Sequence, residues 1–331
     1  MKLVTYSGSA ATERERAGLL AGDTIVDLSR AFAHLGRSVD GASVLGLVRE
    51  GTRGLDAARD VLDAHAAGKL PAAGEDGGPV TVGATGVKLS APIPRPPSMR
   101  DGYAFRQHVL TARKNRGLDM IPEFDMFPVF YFTNHQAVTG PGDVHVRKLH
   151  TDRLDFELEA AIVVGKECRD LTAASADDAI FGLTIMNDWS ARALQMEEMK
   201  MSLGPAKGKD FATSLGPYLV TLDELTAHTT KTPNGATFDL AMRAYVNGTQ
   251  VSLGNVKDMN WTFAQILERA SYGVTLYPGD VIGSGTCGTG CFLELNGSKI
   301  TNNQWLNHGD TVVLEIDELG RLENRIVNDD V

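Results

Sequence analysis

Leu154-Asp155-Phe156-Glu157-Leu158-Glu159-Ala160-Ala161-Ile162-Val163-Val164 reads as one long β-strand. Alternate side chains of a strand share a face. Glu157 and Glu159 therefore point one way, and Phe156, Leu158 and Ile162 the other. The run closes in Ala-Ala-Ile-Val-Val-Gly, which predicts that both faces are covered. Two like charges about 4 Å apart repel by about 1 kcal/mol in water and about 4 kcal/mol at an effective dielectric of about 20. A solvated strand face tolerates that repulsion. A covered one needs a proton or a cation.

Two more carboxylates have similar surroundings. Phe181 to Met186 reads as a short buried strand that runs into Asn187-Asp188-Trp189-Ser190-Ala191-Arg192. Asp188 then stands where the strand stops and a helix over Ser190–Lys200 starts, a position where Asn187 or Asp188 could equally serve as an N-cap. Asp101 stands seven residues before His108. On a helix from Tyr103 to Lys114, His108 falls near the side of residues 101 and 104. A lone histidine there is ordinarily a surface residue.

Outward from these pieces the chain divides. Residues 1–97 read as a small N-terminal α+β domain followed by a Pro-rich connector, and residues 98–331 as a second, catalytic domain. Leu3–Tyr6 is strand-like, and Ala17–Leu20 with Thr24–Leu28 forms a hairpin. Ala42–Arg49 and Leu55–Ala66 have helical spacing. From Gly68 the composition shifts to Gly, Pro and Ala, and the stretch ends in Pro92-Ile93-Pro94-Arg95-Pro96-Pro97, a stiff segment that sustains neither helix nor central strand. Beyond it, turn signals launch β-branched runs twice, at Gly279-Asp280-Val281-Ile282 and Gly309-Asp310-Thr311-Val312-Val313. Trp261–Ser271 supplies another helix. No nucleotide-binding glycine loop is present. The pattern is an α+β fold with a mixed, largely antiparallel sheet system.

Composition narrows the classes of partner. The 331 residues carry 32 Lys+Arg against 42 Asp+Glu, a net charge of −10. That balance speaks against a nucleic acid and against an anionic lipid surface. Three cysteines, Cys168, Cys287 and Cys291, make no disulfide framework. Cys287-x3-Cys291 has no second Cys/His pair nearby to complete a zinc site, and reads as two small strand residues. No apolar run approaches about 18 residues, so no membrane span is expected. The opening residues soon meet Glu13, Arg14, Glu15 and Arg16, too early for an apolar leader. The expected location is the cytoplasm.

Read jointly, the pieces resemble the fumarylacetoacetate hydrolase family. They are Asp101-x6-His108, the Phe156-Glu157-Leu158-Glu159 strand, Met186-Asn187-Asp188-Trp189-Ser190-Ala191-Arg192, and Gln195. Then follow Leu203-Gly204-Pro205 with Gly208-Lys209-Asp210-Phe211, Tyr277-Pro278-Gly279-Asp280 with Gly283-Ser284-Gly285-Thr286, and Glu294. The ordered set covers roughly residues 95–330. The resemblance implies a β-rich mixed β-roll catalytic domain and, commonly, a homodimer. It implies Mg²⁺, with Mn²⁺ or Ca²⁺ as alternatives, held by Asp101, Glu157, Glu159 and Asp188. An all-oxygen, all-acidic ligand set suits a hard cation. The resemblance makes His108 the base on water, Glu294 its orienting partner, and Gln195 and Lys209 the groups that bind substrate oxygens. Thr286 matches a carboxylate-binding loop. Tyr131 matches a substrate contact, and Tyr103 and Arg116 align more loosely as further contacts.

The chain also departs from the family pattern. Mammalian-type members carry a second tyrosine shortly after the glutamine, whereas here the stretch is Gln195-Met196-Glu197-Glu198-Met199. One extra residue separates Gln195 from Lys209, and the loop after Thr286 is short. These differences fall on the distal substrate pocket. The expected function is C–C bond hydrolysis of a 2,4-dioxo acid such as an acylpyruvate or fumarylacetoacetate. The rivals are an oxaloacetate decarboxylase, hydratase or isomerase on the same metal shell, and a protein that merely holds a cation.

Overall fold

The computed structural model describes residues 1–8, 14–202 and 204–331; Glu13 and Leu203, used above, lie outside them. Two sheets organise the chain. The larger has twelve strands. Its central path runs from Lys2–Ser7 through Thr213–Thr221, Ile180–Asp188 and Leu158–Val164 to Val281–Gly283, Met99–Gly102 and Phe130–Phe132. These neighbours are antiparallel except Val281–Gly283 with Met99–Gly102, which run parallel with Gly283 opposite Asp101. The second sheet orders Thr249–Asn255, Ala241–Val246, Thr311–Ile316, Gly320–Asn328 and Gly142–Val146. The fold is α+β and strand-rich, as expected.

The Leu158–Val164 strand shows why both faces of the large sheet are apolar. Leu158, Ala160, Ile162 and Val164 pack into a cluster with Met242, Ala244, Val312 and Leu314 of the second sheet. Ala161 and Val163 face the other way, into a cluster with Phe32, Leu47, Val48 and Val61 from the N-terminal helices. Strict alternation thus feeds two cores from one strand. The N-terminal strands share the large sheet, since Lys2 and Leu3 pair with Val220 and Leu219.

Several expectations need correction. The run from Leu154 to Val164 is not one strand: Leu154–Asp155 and Leu158–Val164 are separated by Phe156 and Glu157. The Phe156 N–H turns to the Asp155 carboxylate (2.9 Å) and the Glu157 N–H to Asn187 Oδ1 (2.9 Å), so side chains replace the ladder there. The strand Ile180–Asp188 stays paired to its end, with Asn187 and Asp188 opposite Ser214 and Thr213 after an irregularity between Leu183 and Ile185. Neither caps a helix: the following helix, Arg192–Met199, starts after a two-residue strand and has Ala191 at its N-cap. The helix bearing His108 begins at Arg106, because Met99–Gly102 is committed to the sheet. Cys287 and Cys291 flank a turn rather than occupying a strand, with the Gly290 N–H bonded to the Cys287 carbonyl at 2.9 Å. The Gly/Pro-rich stretch is no bare spacer, since Thr81–Gly83 and Lys88–Ser90 pair with Thr24–Asp27 and Lys2–Ser7.

Candidate active site

The four carboxylates singled out in the sequence meet where the strand ends converge. Asp101 comes from Met99–Gly102, Glu159 from Leu158–Val164, Asp188 from the end of Ile180–Asp188, and Glu157 from the break before Leu158. One oxygen from each lies within 4.8 Å of the others, and all four residues are buried. Backbone without side chains makes the room. A Cβ on Gly283 would lie 2.9 Å from Glu159 Oε2 and closer still to Asp101 Oδ1. Gly285 holds φ at +77°, and its N–H donates to Asp101 Oδ1 at 3.1 Å. Glycine adopts that left-handed backbone without the Cβ penalty.

Only part of this negative charge is balanced. Lys209 Nζ donates to Asp188 Oδ2 at 2.7 Å and to Glu157 Oε2. Arg192 Nη2 donates to Glu157 Oε1 at 2.7 Å. The Tyr131 hydroxyl donates to Asp188 Oδ2 at 2.5 Å, and Thr286 Oγ1 sits 3.4 Å from Glu159 Oε1. Burial disfavours the charge of Glu157, but Lys209 and Arg192 outweigh it and hold its carboxyl below the usual range. The opposite holds for the other three. Burial and the nearby Asp188 push Asp101 up to about 7. Burial and Asp101 raise Glu159 well above the ordinary value, and burial raises Asp188 against the pull of Lys209. Glu159 Oε2 and Asp188 Oδ1 are buried with no hydrogen-bond partner among the described residues. Orphaned buried carboxylate oxygens are costly unless something positive meets them. A divalent cation fits this donor set.

Beside the quartet stands a second constellation. His108 Nδ1 lies 2.6 Å from Glu294 Oε2, and the Thr289 N–H bonds Glu294 Oε1 at 3.0 Å. His108 is buried, not the surface histidine that its position alone suggests. The Tyr103 ring packs edge-on against His108, with centroids 5.8 Å apart. A cavity of about 710 Å³ is lined by Asp101, Glu157 and His108, together with Tyr103, Arg116, Tyr131, Gln195, Lys209 and Thr286. Glu159, Asp188 and Glu294 are buried and do not line it. Gln195 Oε1 accepts from Arg192 Nη1 at 3.0 Å, and Arg116 donates to the Ala112 carbonyl at 3.0 Å.

Sequence reasoning passed over two residues here. Asp155 and Arg192 form a buried ion pair that their motifs do not announce. Arg192 Nε donates to Asp155 Oδ2 at 2.8 Å, and both side chains are almost wholly buried. The signal was available for one of them: Asp155, Glu157 and Glu159 alternate along the chain, so the acidic face of the run has three members.

A buried acidic quartet beside a His–Glu pair, with Asp101, Glu157 and His108 opening on one cavity, is an arrangement suited to processing a small molecule. The chain belongs to the fumarylacetoacetate hydrolase family: the profile described as fumarylacetoacetate (FAA) hydrolase C-terminal matches residues 98–327. It is 32% identical over 245 residues to the oxaloacetate tautomerase YisK of Bacillus subtilis, covering 72% of this chain and 73% of that one. It is 34% identical over 198 residues to the fumarylacetoacetase of Oryza sativa subsp. japonica, covering 49% of this chain and 46% of that one. Among solved structures, the maleylpyruvate hydrolase of Sphingobium sp. SYK-6, in complex with manganese(II) and pyruvate, superposes with a TM-score of 0.69. That pair shares 22% identity, and the match covers 99% of each chain. The fumarylacetoacetate hydrolase of Exiguobacterium antarcticum gives 0.70 at 24%, covering 99% of this chain and 100% of that one. At these identities the structural likeness is one of fold. Among the described residues, no helix is long and apolar enough to cross a membrane.

Proposed function

We propose that this chain is a divalent-metal-dependent hydrolase that cleaves a C–C bond in a 2,4-dioxo acid of the acylpyruvate type. The observation that carries the reading is a cluster of four buried carboxylates, two of which (Asp101 and Glu157) open on the same cavity as a histidine already bonded to a buried glutamate. Asp101, Glu157, Glu159 and Asp188 would hold Mg²⁺ or Mn²⁺; manganese is the ion named with the Sphingobium enzyme. When bound, such an ion supplies Lewis-acid stabilisation of the enolate that leaves as the C–C bond breaks.

The chain's own residues do the rest. With Nδ1 engaged by Glu294, His108 has Nε2 left to take a proton from the attacking water. Glu294 fixes the ring and stabilises the imidazolium that results, the third-group arrangement of an activated nucleophile. Water adds to the distal carbonyl carbon. The bond to the central carbon breaks, its electron pair passes to the pyruvate fragment, and the proton held on His108 returns to that fragment. Lys209 and Gln195 line the cavity where the developing oxyanion would form, and donors fixed before the reaction stabilise such charge. Tyr131 holds Asp188 through its hydroxyl. Tyr103, Arg116 and Thr286 line the cavity and would contact the substrate.

A second reading has a specific observation behind it. The Bacillus relative is named an oxaloacetate tautomerase. Moving a proton between the keto and enol forms of oxaloacetate needs the same acidic shell but no attacking water. Purified protein, loaded with Mg²⁺ or Mn²⁺ and given acetylpyruvate, separates the two. Pyruvate and acetate appearing in equal amounts, and only with metal present, support the hydrolase. Rapid oxaloacetate enol–keto exchange without acetylpyruvate cleavage would replace it with the tautomerase.

A further inference from the structure

Asp155 is fully buried and lines no part of the cavity. Its carboxylate nevertheless accepts four hydrogen bonds. Oδ1 takes the N–H groups of Phe156 (2.9 Å) and Phe292 (2.7 Å). Oδ2 takes the N–H of Leu293 (2.9 Å) and Arg192 Nε (2.8 Å). These partners lead in two directions. Phe292 and Leu293 immediately precede Glu294, whose carboxylate meets His108 at 2.6 Å. Arg192 passes its other arms to Glu157 Oε1 and Gln195 Oε1. Among the described residues, Asp155 is thus the one carboxylate bonded both to the segment that carries the histidine's partner and to the guanidinium that holds Glu157.

We propose that Asp155 is a positioning residue that locks the acid–base pair His108–Glu294 to the acidic quartet, through the backbone of Phe292–Leu293 on one side and through Arg192 on the other. The inference rests on the reading of the quartet as a metal site and His108 as the base. An ionised carboxylate suits the task because it only accepts, and all four groups facing it donate. In Asp155→Asn the amide nitrogen must face at least two donors, so Arg192 or the Phe292–Leu293 backbone shifts. Partners in this outer layer commonly contribute about 10–100-fold to metal affinity or activity.

The test uses the whole chain. Mn²⁺ alone is titrated into wild type and Asp155→Asn, and kcat and KM are measured on acetylpyruvate for Asp155→Asn, Glu294→Gln and the double variant. Asp155→Asn should weaken Mn²⁺ binding about tenfold through Glu157, and should lower kcat by about 10–100-fold with KM within about threefold. The double variant should lose no more than the worse single variant, because both changes act through the same histidine. Folded Asp155→Asn with Mn²⁺ affinity and kcat within about threefold of wild type overturns the proposal, as do fully additive losses. Should Asp155→Asn fail to fold, Arg192→Lys decides: its amine cannot span Asp155 and Glu157 together, and unchanged Mn²⁺ affinity in that variant overturns the link. Wild type that binds Mn²⁺ but leaves acetylpyruvate intact speaks against the hydrolase instead, and the Mn²⁺ comparison still decides the role of Asp155.

Discussion

His108 and Glu294 stand 186 positions apart in the chain and 2.6 Å apart in the fold. The helix Arg106–Lys114 presents the first and the six-residue helix Phe292–Gly297 the second. Both are buried, so the bond between them forms away from competing water. Hydrogen bonds with an ionised partner are shorter and stronger than neutral ones. The imidazole is therefore fixed before any substrate arrives.

Glu159 offers the clearest test of the quartet. Its carboxyl lies against Asp101, and its Oε2 has no hydrogen-bond partner among the described residues. Glu159→Gln keeps the shape and removes one of the mutually repelling charges. Without metal, the variant should melt at or above the wild-type temperature. With Mg²⁺ or Mn²⁺, wild type should gain stability, as any ligand of the native state confers, and the variant should gain far less. Differential scanning fluorimetry with and without metal reads both effects. An equal metal-induced shift in the two proteins would remove Glu159 from the ligand set.

Gly283 is predicted to tolerate no side chain. Its Cβ would press on Asp101, on Met186 Sδ at 2.8 Å and on Glu159 Oε2 at 2.9 Å. Gly283→Ala should cost about 1–3 kcal/mol by overpacking and should weaken metal binding by forcing two of the four carboxylates apart. Chemical denaturation and a metal titration measure these together. A variant with wild-type values in both would show that the strand has room the account denies.

Asp27, far from the site, gives the pH dependence its sign. It caps the helix Leu28–His34 by accepting the Arg30 N–H at 2.9 Å, and it accepts from the Tyr6 hydroxyl at 2.7 Å and from Arg16. Burial alone would raise its carboxyl, but Arg16, the Arg30 backbone and Tyr6 outweigh it and the shift is downward. A carboxyl depressed in the folded state stabilises fully above its unfolded value, and that stability is lost as pH falls through the folded value. Asp27→Asn should therefore lose about 1–3 kcal/mol near neutrality. The gap from wild type should narrow below about pH 4. Urea denaturation of both proteins at about pH 7 and about pH 3 checks this. A gap that stays constant would assign the loss to shape rather than charge.

How much of this was legible depends on the range of the contact. The quartet was visible because each acid sits in a short, patterned run: an E-x-E alternation, an apolar strand ending in Asn-Asp, an Asp placed seven residues before a His. The strand break at Phe156–Glu157 was not, because it arises when Asn187, thirty residues on, takes the Glu157 N–H. The alternation marks Asp155 as a third acid of the run, but not its task, since its bonds to Phe292 and Leu293 span 137 and 138 positions. The pairing of Lys2 and Leu3 with Val220 and Leu219 was equally hidden. Local composition marks a strand but does not say which edge it joins. The bonds from the Lys209 ammonium to Glu157 and Asp188, 52 and 21 positions away, were hidden in the same way.

The central claim is that His108 activates water for C–C hydrolysis beside a metal held by the quartet. Steady-state turnover of acetylpyruvate and of oxaloacetate, by wild type and His108→Ala at saturating Mg²⁺, tests it most directly. A positioned base contributes about 10²–10⁴-fold to such a step. Wild type should prefer acetylpyruvate, and His108→Ala should lose at least about 100-fold on it while binding metal normally. Wild type that prefers oxaloacetate, with His108→Ala retaining most of that activity, would contradict it.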